Sequence, residues 1–85
     1  MVIFTKHAVD KFAILKKHKF LVSKKQVLQA VNKPDLIDRS RFPLLIGQIQ
    51  FDKNHVLRVV YKKEYDHIKI ITFYPGRIRQ YEKRQ

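Results

Sequence analysis

The side chains in this sequence that could move a proton or hold an anion lie near its two ends and in one apolar run between them. His7 comes two residues after Thr5, which reads as a helix cap, and falls off the apolar stripe of the segment that follows. An imidazole so placed can take or give a proton as a general base or acid. It can equally be a surface or capping histidine, and His18, His55 and His67 read as that alone. Arg58 sits inside the apolar run Val56 to Tyr61, and a charge among hydrophobic residues needs a partner. Its planar fork fits a phosphate; the competing reading is a structural arginine paired to Asp35, Asp38 or Glu64, none of which the sequence evidently reserves for it. Tyr74 ends the last apolar run beside Pro75, where a phenol can stack on a base, donate to a phosphate, or simply finish an amphipathic strand. Beyond it, Arg77, Arg79, Tyr81, Lys83 and Arg84 interleave cations with an aromatic, as a surface tracking a single strand does and as a frayed basic tail also does. Lys6, Arg77, Arg79 and Tyr81 are the candidate RNA contacts.

A small α+β frame must hold these groups. From Lys6 to His18 the residues Ala8, Val9, Phe12, Ala13 and Leu15 recur at helical spacing and form the core-facing stripe. A different face carries His7, Lys11, Ile14 and His18; His7 and His18 are about 16 Å apart along a helix and cannot share a metal. Ser23 and Gln26 match a capping box, after which Val27, Leu28, Ala30 and Val31 continue a second helix. Pro34 ends it near Asn32, and residues 33–43, polar and with two prolines, read as a loop.

Three strands follow. In residues 44–51, Leu45, Ile49 and Phe51 face one way and Gln48 and Gln50 the other. Residues 52–54 turn the chain into a second strand at 56–63, where Leu57, Val59 and Tyr61 oppose Val56, Arg58 and Val60. Residues 64–66 lead to a third at 67–74, whose ladder Pro75 and Gly76 should break. The expectation is a twisted antiparallel meander of three strands, or four if Val2 to Phe4 joins, with both helices on one face and Phe12, Leu15, Val27, Val31, Leu57 and Val59 in the core.

Eighty-five residues allow one domain, 1–85, with a thin core. The absence of cysteine rules out disulfides and thiolate metal sites and suits a reducing cytosol. No secretory h-region and no run of about 18 apolar residues is present, so a cytoplasmic protein without a membrane partner is expected. Nineteen Lys plus Arg against seven Asp plus Glu leave a net charge of +12, a field that attracts polyanions such as RNA, or else a strongly acidic protein partner. No glycine-rich phosphate loop supports nucleotide binding.

FTKHA with a basic residue four after the histidine, Ser23 and Val27 in the second helix, Pro34 and Asp35, then VLRVVY and IKIITFYP resemble, in order and spacing over residues 3–81, a family of small prokaryotic proteins grouped with the RelE/ParE toxin superfamily and similar in architecture to BrnT toxins. That family usually has Arg where this chain has Lys11, which cannot reproduce a bidentate fork. The resemblance implies two helices on a twisted antiparallel sheet of RelE-like kind, and a ribonuclease toxin neutralised by a cognate antitoxin. It implies cleavage of RNA, such as ribosome-associated mRNA, without metal or cofactor: the 2′-hydroxyl attacks the adjacent phosphate. The roles carried over are acid or base for His7, phosphate clamps for Lys11 and Arg58, and an orienting or stacking group for Tyr74. On this reading Arg58→Ala slows cleavage by about 10² to 10³ and spares the fold. The alternative is a non-catalytic nucleic-acid-binding module or an inactive protein of the toxin fold.

Overall fold

A computed structural model describes residues 1–81. Its order is β1 (Val2–Phe4), α1 (Lys6–Lys17), α2 (Lys24–Asn32), β2 (Leu36–Asp38), β3 (Leu44–Gln50), β4 (His55–Glu64), β5 (His67–Arg77) and α3 (Ile78–Tyr81). The α+β class is as expected, but the sheet has five strands in the order β1-β5-β4-β3-β2 and is mixed. β1 runs parallel to β5, and the other pairs are antiparallel.

The strand additions have local causes. β2 lies within the stretch expected to be loop: three residues are too few to show a period, but they pair with Ile46 to Gln48 along the free edge of β3. β5 does not stop at Pro75 but continues to Arg77. Its pairing with β1 covers only Ile68 to Ile70, so beyond that point it is an edge strand, where a proline is tolerated. Between the pairs Val60–Thr72 and Tyr61–Ile70, Ile71 is an extra residue, a bulge that sharpens the twist. The Ile71 carbonyl accepts a hydrogen bond from the Thr5 hydroxyl at 3.0 Å, while Thr5 Oγ1 accepts from the Ala8 N–H at 3.1 Å. One residue thus caps α1 and ties its start to the bulge.

Both helices cover the face that carries Leu45, Ile49, Leu57, Val59, Tyr61 and Phe73. Over β3 and β4, α2 contributes Val27, Ala30 and Val31, and its capping box forms as the sequence implies, with Ser23 and Gln26 exchanging bonds. Over β5 and β1, α1 is shallower. Ala8 and Leu15 are buried and Phe12 is half-buried against Phe73 (ring centroids 4.7 Å apart) and Phe4, whereas Val9 is 55% exposed and Ala13 is also exposed. A helix resting on the sheet margin has room for a stripe of one residue per turn, narrower than the sequence suggests. Among the described residues no helix is long and apolar enough to cross a membrane.

Candidate nucleic-acid interface

The face away from the helices carries the row Leu36, Gln48, Arg58 and Tyr74, opposite one another across four strands. Arg58 is only 4% exposed. Its Nη1 donates to Gln48 Oε1 at 2.6 Å, its Nη2 to Asp38 Oδ2 at 2.9 Å and its Nε to the Tyr74 hydroxyl at 3.1 Å. Of the three carboxylates open to it as structural partners, Asp35, Asp38 and Glu64, β2 brings Asp38 to Arg58. Each guanidinium nitrogen is engaged inside the protein, which corrects the picture of an arginine without a carboxylate of its own, the premise behind the expectation that its removal spares the fold.

Asp38 also accepts from the Ser40 N–H at 2.9 Å. Bonds from the Ser40 backbone and hydroxyl, followed by that from Arg58, hold its carboxyl down at about 2, against an ordinary 3.8. Because the folded value is the lower one, ionised Asp38 stabilises the fold fully above about pH 4 and loses that contribution as the pH falls towards 2. Wild type is expected to lose about 1 kcal/mol more than Asp38→Asn over this interval in urea titrations, the linkage effect being reduced by solvent screening of a partly exposed group. Equal losses would remove Asp38 from the acid response.

The sheet separates the expected catalytic set. Arg58 and Tyr74 are together on the open face, whereas His7, exposed, and Lys11, half-exposed, belong to α1 on the opposite side. Lys6 is exposed and paired with Asp10 at 3.0 Å.

A second constellation lies at one end of the sheet. A cleft of about 610 Å³ is lined by Lys53, Asn54, His55, Arg77, Ile78 and Arg79. The β3–β4 turn forms one wall: Asp52 Oδ1 accepts from the backbone N–H groups of Asn54 and His55, both at 2.8 Å, a side chain closing its own turn. The other wall is the end of β5 and the start of α3, held by Ile78 N–H donating to the Asn54 carbonyl at 3.0 Å. His55 stands directly across from Arg77 in the β4–β5 register. Asp52 also meets His55 Nδ1 at 3.0 Å, and the ring packs edge-on against Phe20, 4.9 Å between centroids. The Asn54 N–H, and after it the imidazole, hold the Asp52 carboxyl below its ordinary range.

Arg77 and Arg79, both expected to contact RNA, thus share one cleft, and Phe20 places the far end of α1 beside it, so that His7 is at the distant end of that helix. The Tyr81 side chain and the tail residues Lys83 and Arg84 lie outside the described residues. Lys53 and His55 also line this cleft, although the sequence marks Asp52 to Asn54 only as a turn and His55 only as a surface or capping histidine. The available signal was a carboxylate three residues before a histidine at a turn. Among the described residues no group of three or more His, Cys, Asp or Glu side chains could hold a metal ion. Comparison with protein-family models, with curated proteins and with solved structures finds no match for this chain.

Proposed function

We propose that this protein binds RNA along its phosphodiester backbone at the cleft between the β3–β4 turn and the β5–α3 junction. The observation that carries the reading is the convergence of Lys53, Arg77 and Arg79 on one concave surface that also offers Asn54 and His55 as polar partners. Cations on the walls of a cleft concentrate a polyanion more effectively than the same charges spread over a convex surface. The net charge of +12 supplies the longer-range attraction. The resemblance to RelE/ParE-type toxins gives such binding a purpose, an endoribonuclease toxin of the cytoplasm whose cognate antitoxin covers this basic ground.

Binding of a labelled single-stranded RNA, followed by anisotropy over a range of salt, tests this. With about six phosphates neutralised, log K should fall against log salt with a slope of roughly −4. Replacing Arg77 and Arg79 by Ala should make the slope shallower by about 1.4, which is two contacts at about 0.7 each. A salt-independent affinity, or a double variant that binds with the wild-type slope, would overturn the assignment of the cleft.

A further inference from the structure

We propose that His55, held by the Asp52 carboxylate, is the general base of an RNA transesterification performed in this cleft; the proposal rests on the reading that the cleft takes RNA. The geometry separates His55 from the other three histidines. His67 has both ring nitrogens occupied, Nε2 by Glu64 at 2.9 Å and Nδ1 by Asp66 at 3.1 Å. His18 is the exposed C-cap of α1, and His7 lies on the exposed first turn of that helix, at its other end. In His55 alone among the described residues, one nitrogen faces a carboxylate and the other makes no hydrogen bond, within a cation-lined cleft.

The carboxylate decides which nitrogen carries the proton. Asp52 meets Nδ1 with both oxygens, at 3.0 and 3.2 Å, and an ionised carboxylate can only accept. Nδ1 therefore carries the hydrogen, and Nε2 presents its lone pair, the form a base needs. The same Asp52 oxygen accepts from the His55 backbone N–H, and Phe20 abuts the ring, so the imidazole is fixed before substrate arrives. Arg77, opposite His55 in register, begins from a point about 5 Å away on the same face. A phosphate-binding cation thus springs from the strand position beside the base, as a step on a ribose 2′-hydroxyl and the phosphate next to it requires.

The step balances without another reactant. Nε2 takes the proton of the 2′-hydroxyl as that oxygen bonds to phosphorus; the P–O5′ bond breaks, and its electron pair stays on O5′. O5′ takes a proton from water in the open cleft, and the imidazolium returns one to water, leaving a 2′,3′-cyclic phosphate and a 5′-hydroxyl. Lys53, Arg77 and Arg79, which line the same cleft, would hold the negative charge that builds on the phosphoryl oxygens. Asp52 offsets the charge gained by the ring.

The test uses the full chain, a labelled single-stranded RNA and EDTA, with binding and single-turnover cleavage measured on the same preparations. Wild type should yield cyclic-phosphate ends from RNA, and should bind an all-DNA strand without cutting it. His55→Gln should cut about 10² to 10³ times more slowly, a loss well beyond any change in its affinity for RNA on the same preparation. Added imidazole should restore part of the rate to His55→Ala, which a folding defect would not allow. The acid limb of the wild-type pH–rate profile, where the ring gains a proton in the presence of Asp52, Lys53, Arg77 and Arg79, should vanish in His55→Gln. Binding without cleavage by wild type, or cleavage that survives His55→Gln and is lost in His7→Ala, overturns the assignment and leaves the binding reading standing. Failure of wild type to bind RNA overturns both.

Discussion

Gly47→Ala should destabilise the protein by about 3 kcal/mol, although exchange of a strand glycine for alanine ordinarily stabilises by roughly 0.5 to 1 kcal/mol. Gly47 lies in the middle of β3, between Ile37 and Val59 and on the face beneath α2. Its φ is not positive, so backbone conformation gives no reason for a glycine. The reason is the approach of α2: a methyl group at Gly47 would run into the backbone carbonyl of Ala30, which cannot swing aside as a long side chain would. Either α2 lifts, loosening Val27, Ala30 and Val31 together, or β3 buckles. The loss of contact across that helix outweighs the entropic gain. In an 85-residue chain the thermal midpoint should fall by more than 10 °C, at about 4 to 8 °C per kcal/mol. A Gly47→Ala protein as stable as wild type would mean that α2 does not need this close approach.

That contact illustrates what the sequence could and could not convey. The helix starts were legible because capping is local: Thr5 and Ser23 meet partners three residues away. The two faces of β4 were legible because alternation is local as well, and Leu57, Val59 and Tyr61 are buried beneath the helices as the pattern implies. What escaped depends on pairing between distant segments. Nothing in three residues fixes β1 as parallel to β5, and the role of Leu36–Asp38 appears only when β3 offers an edge. Asp38 is twenty residues from Arg58, so their ion pair was one alternative among several until β2 fixed the register. The cleft is a similar case, since Lys53 and Arg77 meet through the turn and the pairing of His55 with Arg77. By contrast, Asp52 and His55 are near neighbours, and their contact was within reach of a reading that treated turn residues as candidate chemistry.

Arg58→Ala should cost about 3 kcal/mol in folding stability and leave RNA affinity within about twofold of wild type, the reverse of what a phosphate-binding arginine would show. Removing one member of a buried ion pair costs about 3 to 5 kcal/mol. The low end applies because Asp38 keeps partial contact with solvent and its bond from Ser40. Most of the loss comes from Gln48, buried at 7% exposure, whose Oε1 would lose its bond to Nη1, and from the void left beside Tyr74. Arg58→Lys should recover less than half of the deficit, since one ammonium cannot reach Asp38, Gln48 and Tyr74 at the separate angles of the fork. Arg58→Met should lie between Ala and wild type, because it refills the volume without the bonds. Urea midpoints for the three variants and salt-dependent RNA binding on the same preparations make the comparison. An Arg58→Ala protein of wild-type stability that no longer binds or cuts RNA would return this arginine to the functional site; unfolding at lower urea with affinity intact keeps it as the polar link that joins β2, β3, β4 and β5 on the face the helices leave open.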